Sequence, residues 1–165
     1  MGQPIDLYAG RSRPLSFLTR HRQLHALQGI TSIIFIVACS EYDQHLVEDS
    51  NTNRMVESLA LFEQIVQYEY FRSTSFILFL NKQDLLEKKI ASSSLAAHFP
   101  EFSGPAQNHE AAKEFIWSMY AKRKPKHTVL FKHYTQATDT GNITFVFKSV
   151  KTTLLRHNMK DYGLS

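Results

Sequence analysis

The chain has 165 residues, room for one domain with a real core, and its 43% hydrophobic and 21% charged content is ordinary for a globular protein. Nineteen Lys and Arg against fifteen Asp and Glu give a mild net charge of +4, which a solvated, lysine-rich surface explains better than an anionic membrane partner, and no nucleic-acid partner is expected. The single cysteine, Cys39, excludes an internal disulfide framework and makes a reduced intracellular compartment the default.

Read from its start, residues 1–28 show no strand period. Arg11, Arg13, Arg20 and Arg22 alternate with His21 and His25, and the segment reads as divergent and poorly ordered. His21 and His25 have the i, i+4 spacing of a metal pair, but no nearby carboxylate or cysteine accompanies them, so two surface histidines are the simpler account. The N-terminus lacks the apolar core of a signal peptide, and no apolar stretch reaches the roughly 18 residues of a membrane span. Met1-Gly2 would fit N-myristoylation, yet position 6, where Ser or Thr is wanted, is Asp6.

From Gly29 onward strand and helix signals alternate. The run from Ser32 through Ile33, Ile34, Phe35, Ile36, Val37 and Ala38 to Cys39 predicts a strand buried on both faces. Met55, Leu59, Phe62 and Val66 recur at helical steps and mark one helix face. Residues 76–80, Phe-Ile-Leu-Phe-Leu, predict a second buried strand. After the turn residues Pro100, Gly104 and Pro105, a helix carries Ala112, Phe115, Ile116 and Met119 on one side. Thr128-Val129-Leu130-Phe131 begins a third strand. A last helix follows Asp139-Thr140, which can cap it, and buries Ile143, Val146, Phe147, Val150 and Leu154. Such alternation implies a parallel sheet in an α/β fold, with ligands bound beyond the carboxyl ends of the strands.

The chemistry-bearing residues follow those ends. Asn81-Lys82-Gln83-Asp84 comes directly after the second strand. A carboxylate at Asp84 can accept hydrogen bonds from guanine N1–H and the exocyclic amine, a donor pair that adenine lacks. The Lys82 stem can lie over the base, and Asn81 can hold the loop and reach N7. After the third strand, Thr135-Gln136-Ala137-Thr138-Asp139-Thr140 can offer the Ala137 backbone N–H to guanine O6. Two such loops after successive strands form a specific signal.

Residues 29–165 resemble a heterotrimeric G-protein α subunit. The resemblance rests on Phe35-Ile36-Val37-Ala38-Cys39-Ser40-Glu41-Tyr42-Asp43-Gln44, on Asn53-Arg54-Met55-Val56-Glu57-Ser58-Leu59-Ala60-Leu61-Phe62 and on Ile77-Leu78-Phe79-Leu80-Asn81-Lys82. It extends to Phe99-Pro100-Glu101-Phe102, Thr138-Asp139-Thr140 and the Gq-like tail Asn158-Met159-Lys160-Asp161-Tyr162-Gly163-Leu164-Ser165. It implies a partial Ras-like (P-loop NTPase) domain, strands four to six of the family sheet with their helices. It also implies GTP or GDP as ligand with Mg²⁺, and a place at the inner face of the plasma membrane. The implied partners are a G-protein-coupled receptor, the βγ subunits and phospholipase C-β. Receptor binding falls to Leu155, Met159, Tyr162 and Leu164.

The departures bear on activity. No Gly-x-x-x-x-Gly-Lys-Ser/Thr and no Asp-x-Gly-Gly-Gln occurs in the sequence, and the helical domain with its catalytic arginine has no counterpart. No catalytic residue and no metal ligand is therefore assigned, and the chain is expected to be a truncated form that does not hydrolyse GTP alone. The missing central strand is expected to leave residues 33–37 with an unpaired edge and an uncovered face. In the second loop Gln136 replaces the usual Cys and can crowd the base. Glu57 resembles the acid that pairs with a switch arginine. Lys122-Arg123-Lys124-Pro125-Lys126 reads as a solvated loop on the family's receptor-facing side rather than a targeting patch. Asp43, Glu48 and Asp49 read as a solvated turn rather than paired catalytic carboxylates.

Overall fold

The computed structural model describes residues 30–136 and Lys151, all but Ile30 within the unit Thr31–Ser165. Three parallel strands, β1 (Ser32–Ala38), β2 (Ser75–Asn81) and β3 (Leu130–Tyr134), pair in the order β1-β2-β3. Helix α1 (Arg54–Val66) connects the first two strands; α2 (Gln83–Ile90), the short α3 (Leu95–His98) and α4 (His109–Ala121) connect the second and third. The architecture is α/β, a parallel sheet with flanking helices, as in part of a P-loop GTPase domain.

The register aligns Ile33 with Phe76, Phe35 with Leu78 and Val37 with Leu80, which places all six on one face of the sheet. On that face an aromatic centre forms. Phe62 of α1 meets Phe35 at 5.2 Å, Tyr120 of α4 at 5.4 Å and Phe76 at 6.1 Å, all edge-to-face. The helix period read from Met55, Leu59, Phe62 and Val66 is borne out, since all four are buried. Asn53 caps α1, its Oδ1 accepting the N–H groups of Met55 and Val56. In α4, Ala112, Ile116 and Met119 are buried, and Phe115 lies half-buried against Phe99 and Phe102. Gly104 is required in the preceding loop: a Cβ there would meet the Phe102 ring at 2.6 Å.

The strands differ in cover. β2 is buried on both faces from Ser75 to Leu80, as its unbroken apolar run implies. β1 corrects the doubly buried reading of its apolar run and shows the uncovered face expected of residues 33–37: Ile34 is 39% exposed and Ile36 63% exposed, so burial alternates along it. Cys39 belongs to a 3₁₀ turn, Cys39–Glu41, rather than to the strand. On this second face Ile77 and Phe79 are buried with Phe131 against them, while β1, at the sheet edge, has no second neighbour among the described residues.

Two helices lie outside the period reading of the sequence. α2 leaves β2 without a spacer, through Lys82 in the left-handed conformation, and α3 has only four residues. The final helix expected after Asp139-Thr140 and the segment 1–28 fall outside the described residues.

Candidate functional site

Three segments leave the carboxyl rim of the sheet side by side. They are the turn Cys39–Glu41 after β1, the loop 81–84 after β2, and Thr135-Gln136 after β3. The strand register sets them level: Ala38 pairs with Asn81, and Leu80 with Tyr134.

The loop 81–84 is shaped from within. Asn81 Oδ1 accepts the backbone N–H of Lys82 at 2.7 Å. Lys82 has φ 60° and ψ 40°, a left-handed conformation, which costs a residue with a Cβ about 1–2 kcal/mol. That turn aims the chain straight into α2, with Asp84 in its first turn. Gln83 is buried and stitches the loop to its surroundings. Its Nε2 donates to the Leu80 carbonyl at 2.9 Å and to Cys39 Sγ at 3.3 Å, and its Oε1 lies 3.2 Å from His109 Nε2. An amide oxygen can only accept, so His109 Nε2 supplies the proton of that last bond. Burial pushes the Cys39 thiol up to about 12, with the Gln83 contact opposing it.

The second loop is tied to the first. The Thr135 N–H donates to the Leu80 carbonyl at 3.0 Å, and the Gln83 N–H donates to the Thr135 carbonyl at 3.4 Å. Thr135 is buried and Gln136 exposed. Ala137 lies outside the described residues, as do Leu155, Met159, Tyr162 and Leu164.

The charges divide into held and free. Glu41 takes Lys82 Nζ on Oε1 at 2.6 Å and Arg54 Nε on Oε2 at 2.9 Å. Asp84, half-buried in the first turn of α2, has no hydrogen-bond or ion-pair partner among the described residues. Its two oxygens are free acceptors beside the loop, the arrangement a guanine edge with its adjacent N1–H and amine requires. Glu57, in the first turn of α1, likewise has no ion-pair partner among the described residues.

The other charged stretches have structural employment. Asp43 pairs with Lys89 of α2 at 2.7 Å, and Asp49 accepts from the Thr52 hydroxyl at 2.6 Å. Arg123 donates to the Met119 carbonyl at 2.7 Å, closing the end of α4, and Lys124 donates to the Thr128 carbonyl at 2.9 Å. A cavity of about 180 Å³ bounded by Ile90, Leu95, Phe102 and Gln107 lies at the far end of α2 from Asp84, and no charged residue lines it.

Sequence reading singled out Asn81, Lys82 and Asp84, and the structure places them at the junction of β2 and α2: Asn81 ends the strand, Lys82 joins the two, and Asp84 stands in the first helical turn. It gave no role to Glu41, Gln83 or Thr135. Glu41 stands within a stretch that resembles the family, but nothing in its spacing marks a partner 41 residues away.

A sequence model of the G-protein alpha subunit family matches residues 18–154. The chain belongs to that family. The match begins ahead of Gly29 and spans both loops of the rim. Members of the alpha subunit family are guanine-nucleotide-binding signal transducers that work with receptors and βγ subunits.

Proposed function

We propose that this chain recognises a guanine base through Asn81, Lys82, Asp84 and the Ala137 backbone. In the same reading it presents its C-terminal segment to a G-protein-coupled receptor as a Gq-like alpha subunit. The free Asp84 carboxylate supports the first part, because it stands in the first turn of α2, beside a junction tied to both neighbouring strand ends. Leu155, Met159, Tyr162 and Leu164 carry the second, on the likeness of the tail to the Gq pattern.

We read these residues as offering no phosphate cradle of their own. No Gly-x-x-x-x-Gly-Lys-Ser/Thr occurs in these 165 residues. In our reading base recognition therefore acts alone: roughly 4 kcal/mol of binding energy, or a dissociation constant of about 1 mM for GDP. In this reading these 165 residues supply base and receptor contacts and not the hydrolytic machinery. Contacts with βγ, phospholipase C-β and the inner membrane face belong to the same Gq-like reading. Among the described residues no helix is long and apolar enough to cross a membrane.

Exchange of bases tests the assignment of Asp84. Asp84→Asn presents one acceptor and one donor, which suits xanthine, where a carbonyl replaces the guanine amine. The variant should prefer xanthosine diphosphate over GDP, and the wild type the reverse. Unchanged preference in the variant would remove Asp84 from the base site.

A further inference from the structure

We propose that Glu41 is the positioning residue of the base platform, fixing the Lys82 ammonium so that its stem lies across the rim where a purine face would rest. The proposal deepens the guanine reading and rests on it.

Lys82 starts from the end of β2, and its Nζ reaches Glu41 Oε1, in the turn after β1, at 2.6 Å. The four-carbon stem therefore spans the gap between two adjacent strand ends. Its backbone is left-handed, a conformation that persists only where surroundings over-determine it. Asn81 Oδ1 supplies the local restraint and Glu41 the distant one.

Glu41 is itself a rigid anchor. Its neighbours Ser40 and Tyr42 are buried, the Tyr42 hydroxyl donates to the Ser93 carbonyl at 2.6 Å, and the Tyr42 carbonyl accepts from Asn53 Nδ2 at 2.6 Å. Its side chain is 17% exposed, against 37% for Lys82 and 41% for Arg54. The less exposed carboxylate thus holds two more exposed cations, one on each oxygen. A lysine immobilised before the ligand arrives loses less rotamer freedom on binding, so the restraint raises affinity without touching the base.

A double-mutant cycle on the full chain tests this, with GDP and ADP as probes and backbone amide shifts of the loop as readout. Glu41→Gln should weaken GDP binding about fivefold, the scale of one ion pair of this exposure. Arg54→Gln removes the other cation and should leave GDP affinity within about twofold. In a Lys82→Gln background, Glu41→Gln should have no further effect, because its route to the base is gone. Full GDP affinity in the Glu41→Gln single variant would overturn the proposal while leaving base recognition intact. So would an equal loss in both backgrounds, which would mark a general structural role. A wild-type chain that responds equally to GDP and ADP would remove the base reading and this inference together.

Discussion

The Thr135 N–H lies 3.0 Å from the Leu80 carbonyl oxygen, the bond that closes the Leu80–Tyr134 pair at the end of the β2–β3 ladder. That single bond makes the start of the second loop level with Asn81. Because Gln83 returns a bond to the Thr135 carbonyl, the two segments bracket one another at the rim. A site assembled this way inherits its geometry from strand register rather than from loop sequence.

Catalysis should be absent from these residues. Phosphoryl transfer depends on positioning and on neutralising charge at the γ-phosphate, and the sequence holds neither a phosphate loop nor Asp-x-Gly-Gly-Gln. Purified 165-residue chain should release no labelled phosphate from GTP in a single-turnover assay. Release that Asp84→Asn abolishes would contradict this.

The core should depend on Phe62, whose ring is fully buried among Phe35, Phe76 and Tyr120. Phe62→Ala should destabilise the fold by about 3–5 kcal/mol, since transfer and cavity costs add. Urea unfolding should show the loss as a lower midpoint with an unchanged slope.

Much of this fold was legible because it lies in local periods. Met55, Leu59, Phe62 and Val66 announce α1, and the apolar run 76–80 announces a strand covered on both sides. The same kind of run misled for Ile34 and Ile36, because an apolar stretch does not say what lies opposite each face. The helix α2 was hidden for another reason: it starts from a left-handed lysine with no side-chain cap, where start signals expect Ser, Thr, Asp or Asn. Asp84 stands out in the sequence as a carboxylate just past a strand end. The ties that place it, from Thr135, Gln83 and Glu41, join segments distant in sequence and leave no pattern in it.

Acid should act through the Asp43–Lys89 pair. Burial raises the Asp43 carboxyl, but hydrogen bonds from Lys89 and Ser93 and the lysine charge outweigh it and hold it below its ordinary value. A carboxyl lowered in the folded state stabilises fully above its unfolded pKa, and that contribution is lost as pH falls through the folded value. Asp43→Asn should thus cost about 1 kcal/mol at neutral pH, and its deficit against wild type should shrink below about pH 4. Urea titrations at both pH values check the sign.

The C-terminal segment should bind a receptor as a peptide. Residues 151–165 place Leu155, Met159 and Tyr162 at steps of four and three, which suit an amphipathic helix in an apolar groove, with Leu164 following Gly163. The peptide should bind an activated Gq-coupled receptor, and Leu164→Ala should weaken it. Equal binding by wild-type, Leu164→Ala and scrambled peptides would remove the receptor-engaging reading.

Guanine recognition is most directly tested by titrating the full chain with GDP and with ADP while following the amide resonances of residues 81–84 and 135–136. The account predicts saturable shifts with GDP at a dissociation constant of about 1 mM, lost in Asp84→Asn and absent with ADP. Identical responses to the two nucleotides, or GDP shifts that survive Asp84→Asn unchanged, would contradict it.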